Sequence, residues 1–149
     1  MPNVVSNPGS GWLIAAATLS AAAAALHLAC IAGGPDWYRF FGAGEGMARA
    51  AARGDLRPTL ITLGIATLLA IWAAYAASGA GLIPRLPLLR TALVAITAIY
   101  LFRALAFVPL HFWRPQHSDG FAIWSSAIVL VYGVVHFVGL VRAWRHLAP

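Results

Sequence analysis

The chain contains no lysine, only four acidic side chains and a single cysteine, Cys30, in 149 residues. One thiol excludes an internal disulfide and any cysteine-rich metal site. Charged residues make up 9% of the chain and apolar residues 61%, against roughly 25% and roughly 45–50% in an ordinary soluble domain. That imbalance excludes a soluble globular fold. The ten basic residues, all arginine, give a net charge of +6, but they are scattered among apolar runs instead of forming one stripe, which argues against nucleic acid as a partner. Without lysine, and with no strand before it, the glycine-rich stretch Gly42–Gly46 is not a phosphate loop. No repeat is stronger than the echo of Gly42-Ala43-Gly44 in Gly79-Ala80-Gly81, so an inverted-repeat transporter is not indicated.

What is present is a set of long apolar runs. A hydrocarbon core of about 30 Å takes about 20 apolar residues per helix, and four runs qualify, at about 12–33, 59–80, 87–109 and 121–141. The expected fold is an all-α integral membrane protein, one membrane domain over 1–149. It is a four-transmembrane-helix bundle with an aromatic-rich interfacial helix or loop at about 36–53. Basic residues before the first run are missing, which favours an uncleaved span over a secretory signal. Ala17, Ala21, Ala25 and Ala29 fall four apart and predict a ridge on which another helix packs closely. Asp55 with Pro58 marks a helix start, and Ser118-Asp119-Gly120 another. Trp12, Trp37, Trp113 and Trp144 fall near span ends, where indoles favour the headgroup layer.

Four spans put both termini on one surface, side A, which carries Arg85, Arg90, Arg142 and Arg145 and no acids. Side B carries Arg39, Arg49, Arg53, Arg57, Arg114 and all four acids. The arginine count does not decide orientation, but the unaccompanied arginines favour side A as the cytoplasmic face of a bacterial inner membrane. The arginine-only, alanine-rich composition suggests a GC-rich bacterial genome.

Between the first two spans, Asp36 caps a short helix in one reading, with Trp37, Phe40, Phe41, Gly44 and Met47 on one apolar face lying along the bilayer. In the other, the glycines let the segment dip over the bundle mouth. Arg103 is expected about 9 Å inside the side B end of the third span. It can snorkel to headgroups, pair with Glu45 or Asp36 from the first loop, or meet an anionic ligand. His27 is expected at a similar depth and can face it. Tyr100 and Phe107 share the Arg103 face, and Ser20 shares that of His27. With Thr62, Ser125 and Ser126, every span then contributes a polar group to one side B pocket.

A histidine bridge between His27 and His136 is disfavoured by depth, and a metal site of His27, His111 and His117 by its spacing, so no metal or cofactor is implied. His136 reads as a core histidine, and Trp72 with Tyr75 as packing. Ser125 and Ser126 have no base at fixed spacing. The sequence therefore points to a pocket open to side B, lined by Arg103, His27, Glu45, Asp36, Tyr100, Trp37, Thr62, Ser125 and Ser126, that binds a lipid or other amphiphile with Arg103 as anchor. The alternatives are an accessory subunit packing on partner membrane proteins, and an enzyme on a lipid or quinone-like substrate using Glu45 or Asp36 beside His27. The implied partners are membrane lipids, an amphiphilic ligand, and a second copy or another membrane protein. A channel is disfavoured, since no polar stripe runs from side A to side B.

Overall fold

The computed structural model describes residues 7–106, Pro109 and 120–148. Five helices appear in it: α1 Ser10–Phe40, α2 Glu45–Ala52, α3 Arg57–Gly79, α4 Leu89–Leu105 and α5 Gly120–Ala143. Among the described residues there is no strand. Helices α1, α3 and α5 are each long and apolar enough to cross a membrane. Their outward faces carry large apolar side chains such as Ile61, Leu68, Ile71, Val131 and Phe137. In water such a surface would be an aggregation liability; in lipid it is ordinary solvation.

α1 is two helices joined at a kink. Gly34 has φ 69° and ψ −151°, a region open essentially to glycine alone, and Pro35 behind it has no amide to continue the ladder. The straight part, residues 10–33, is about 36 Å long at 1.5 Å per residue. Its buried residues are Leu13, Ala16, Ala17, Ser20, Ala24 and Cys30, whereas Ala21 and Ala25 of the expected ridge face outward. The cause is geometric: a strict four-residue step turns 400° at 3.6 residues per turn. Such a row therefore drifts 40° round the helix at each step, and alternating steps of three and four hold the face.

The long helices pack as α1 on α3, α3 on α4, α4 on α5 and α5 on α1. Small residues fix the register. A methyl group in place of Gly139 hydrogen would stand 3.3 Å from the Leu13 nitrogen, and one at Gly133 would stand 3.2 Å from the Leu101 nitrogen. At the core Tyr100 joins all four helices. Its hydroxyl hydrogen-bonds Ser20 Oγ at 3.0 Å, and its ring lies 4.9 Å from Trp72, 4.9 Å from His136 and 5.6 Å from Tyr132.

One end of the molecule, side A, gathers the start of α1, the α3–α4 turn and the end of α5. Asn7 Nδ2 donates to Gly79 O at 3.0 Å. Ser78 Oγ donates to Pro84 O at 3.1 Å and accepts from the Leu86 amide at 3.0 Å, holding the turn. The last carbonyls after α5 have no helical partners. Arg85 donates to those of His146 and Leu147, and Arg90 to that of Trp144 at 2.8 Å, placing cations where a helix C-terminus favours them.

Candidate functional site

At side B the chain leaves α1 through the kink and turns at Phe41–Gly44. Gly42 and Gly44 adopt φ 69° and 92°, so residues 36–53 form no single amphipathic helix; α2 starts only at Glu45. Asp36 is not a helix cap. Its carboxylate accepts from Arg39 Nη1 at 2.9 Å, while Arg39 Nε donates to Glu45 Oε2 at 2.9 Å. Both acids expected to reach Arg103 are thus drawn to Arg39, which lies a few residues away in sequence. By donating to Glu45, and by its charge, Arg39 holds the Glu45 carboxyl below its ordinary value, against a smaller opposing effect of burial.

Arg39 thereby clasps the end of α1 to the start of α2 over a cavity of about 290 Å³, lined among others by His27, Cys30, Tyr38, Met47, Thr62 and Ile65. Tyr38 is the residue that periodicity missed. The expected apolar face took Trp37, Phe40 and Phe41, but Phe40 is 76% exposed and Tyr38 only 3%. The kink re-aims the last turn of α1, and a helix-wheel reading begun at Asp36 cannot see that. Tyr38 packs with Cys30 and Ala48, and its hydroxyl is enclosed with no hydrogen-bond partner among the described residues. Opposite it, His27 Nδ1 is 2.7 Å from Ala23 O. A carbonyl only accepts, so Nδ1 carries the hydrogen and Nε2 of the neutral ring is left as an acceptor.

The other expected site residues are dispersed. Tyr100 is in the core on Ser20. Trp37 packs against Phe41 with ring centres 5.6 Å apart and planes tilted by 45°, Ser125 Oγ donates to its own helix at Ala122 O, and Ser126 is buried within the bundle. His136 Nδ1 bonds Tyr132 O of its own helix at 2.8 Å, and its Nε2 has no partner among the described residues.

Arg103 does not line the cavity. Leu101 is level with Gly133 and Leu13 with Gly139, so Arg103 is level with about residue 21 of α1. That is roughly 18 Å below Gly33 by helical rise, twice the expected depth. α4 ends at Leu105, while α5 continues past that level toward side B; counting inward from Pro109 therefore misjudged the depth. Arg103 is exposed. Phe107, His111, Trp113, Arg114, His117, Ser118 and Asp119 lie outside the described residues.

No protein-family model matches the chain, and neither a curated protein nor a solved structure shows detectable similarity to it.

Proposed function

We propose that this chain is a small bacterial inner-membrane protein that binds a lipid or other amphiphilic small molecule in the side B cavity under the Arg39 clasp. In this reading α4 is the third of four crossings, α2 lies in the side B interface, and both termini face the cytoplasm at side A. One observation carries the ligand: a hydroxyl enclosed without a partner costs about 1–3 kcal/mol, and Tyr38, whose hydroxyl is so enclosed, lines the cavity together with His27, Thr62 and apolar side chains. Tyr38 donates, His27 Nε2 accepts, and Thr62 does either, so the fitting head is neutral and hydrogen-bonding, with its tail along Ile61 and Ile65. This moves the anchor from Arg103 to Tyr38.

The test is native mass spectrometry of protein extracted in mild detergent, comparing wild type, Tyr38→Phe and Arg103→Ala. We expect a discrete adduct on wild type and on Arg103→Ala that is depleted on Tyr38→Phe. The Tyr38→Phe protein should unfold at the same temperature as wild type or higher, because it loses no hydrogen bond of the described chain. Bare protein in all three, or an adduct indifferent to Tyr38→Phe, overturns the reading. The accessory-subunit reading has one observation in its favour, the outward Arg103 at mid-height, where insertion scales put an arginine near +2.5 to +3.5 kcal/mol. A membrane protein that co-purifies with wild type and is lost from Arg103→Ala would establish it.

A further inference from the structure

We propose that the groove at the side A end of the molecule is a binding site for the phosphodiester headgroup of an anionic phospholipid. The groove, about 530 Å³, is bordered by Arg85, Arg90 and Thr91, with Leu86, Leu88 and Leu147 among its apolar walls. It stands independently of the side B cavity and of the reading given to it.

Three features point to phosphate. Both guanidinium groups are already held in place: Arg85 on the His146 and Leu147 carbonyls, and Arg90 on the Trp144 carbonyl and 4.0 Å over the Trp144 ring. Each of those bonds uses one hydrogen of a terminal nitrogen, so both groups keep further N–H donors, and Arg90 Nη1 makes no hydrogen bond among the described residues. A planar guanidinium with donors left over suits phosphate oxygens. Second, the groove contains the start of α4, which no side chain caps; its first-turn amides point where an anion is favoured. Third, Ser78 staples the turn that forms the opposite wall, so the ligand does not have to order it.

The walls then decide the kind of phosphate. Leu88 is exposed beside the arginines, and a glycerol backbone with acyl chains covers such a surface where a free anion leaves it wet. The charge pattern decides the headgroup. Asp36, Glu45 and Asp55 all belong to the side B end, so among the described residues side A offers no carboxylate to the ammonium of phosphatidylethanolamine. Phosphatidylglycerol brings the same phosphodiester without that cation.

The test uses the full chain, delipidated in mild detergent and titrated with phosphatidylglycerol, phosphatidylethanolamine of the same acyl chains, or inorganic phosphate. Native mass spectrometry and thermal unfolding are the readouts. Phosphatidylglycerol should bind at least ten-fold more tightly than phosphatidylethanolamine and raise the unfolding temperature. Arg90→Gln should remove that preference, while Arg145→Gln at the same end and Tyr38→Phe at the other retain it. Because Arg90 also clamps α5, Thr91→Val, which breaks no described hydrogen bond, is the second variant, expected to weaken phosphatidylglycerol binding several-fold. Equal affinity for the two lipids, or inorganic phosphate at millimolar concentration displacing the lipid, overturns the proposal. So does full retention by both groove variants.

Discussion

Glu45 shows how one side chain sets the condition under which the side B cover stays closed. Its carboxyl titrates below its ordinary value because Arg39 donates to it, so the folded state binds fewer protons than the unfolded one. The contribution is complete above the ordinary carboxylate range and is lost as pH falls through the lowered folded value. Both partners are solvent-accessible, so the effect is local rather than global. The protection of the Ala43–Ala52 amides against hydrogen exchange in detergent, measured relative to the intrinsic exchange rate at each pH, should therefore fall on acidification in wild type. In Glu45→Gln that protection should be low already at neutral pH and change little with further acid. Equal protection of the two proteins at neutral pH would show that the clasp holds nothing. At this scale the sequence was only partly legible. His27, expected from its depth on the first span, and Thr62, expected as the polar group of the second, line one cavity. Tyr38 was not found, because its burial follows from the backbone torsion at Gly34, which leaves no periodic trace. Arg103 was misplaced because proline was taken as the end of its helix.

At the scale of elements, glycine marks two opposite situations inside helices. Gly139 of α5 sits against the Leu13 backbone, where an added methyl would be 2.9 Å from a Leu13 methyl and 3.3 Å from its nitrogen. Among the described residues, no atom lies within 4 Å of that position at Gly64 of α3. Helix propensity favours alanine by about 1 kcal/mol at either site, but overpacking costs about 1–3 kcal/mol. Gly139→Ala is expected to lower stability by about 1 kcal/mol and Gly64→Ala to raise it by up to that amount, as read by unfolding in detergent. If the two shift in the same direction, the α1–α5 approach is looser than described. The helical class and three of the four expected spans could be read from composition and run length, because lipid demands long uninterrupted apolar segments; the expected run 87–109 is described as a helix only over Leu89–Leu105 and is not among the three helices of membrane-spanning length. Which face of each helix turns inward could not: with 61% apolar residues the outside is as hydrophobic as the inside, and only small residues and rare polar ones distinguish them. Ser20 against Tyr100 is such a pair.

At the scale of the molecule, the two ends differ in kind. Side A is tied by hydrogen bonds between segments far apart in the chain, Asn7 to Gly79 and Arg85 to the residues after α5. Side B is closed by contacts within residues 30–51 and by the Phe121 ring of α5 set against Gly42, with no hydrogen bond between distant segments there among the described residues. The ring of helices is also uneven: α1 packs broadly on α3 and α4 on α5, whereas α3 meets α4 over a narrower seam. α1 with α3 and α4 with α5 thus form two helical pairs laid side by side. A chain divided in the α3–α4 turn, between Leu82 and Ile83, should therefore still yield two halves that find each other when made together in one membrane, joined by the α1–α5 contact and the Tyr100 cluster. Co-purification of a tagged 1–82 half with an untagged 83–149 half would show it, and Gly139→Leu should abolish it. Such a molecule owes its unity to side-by-side recognition within the bilayer more than to the covalent link between its halves.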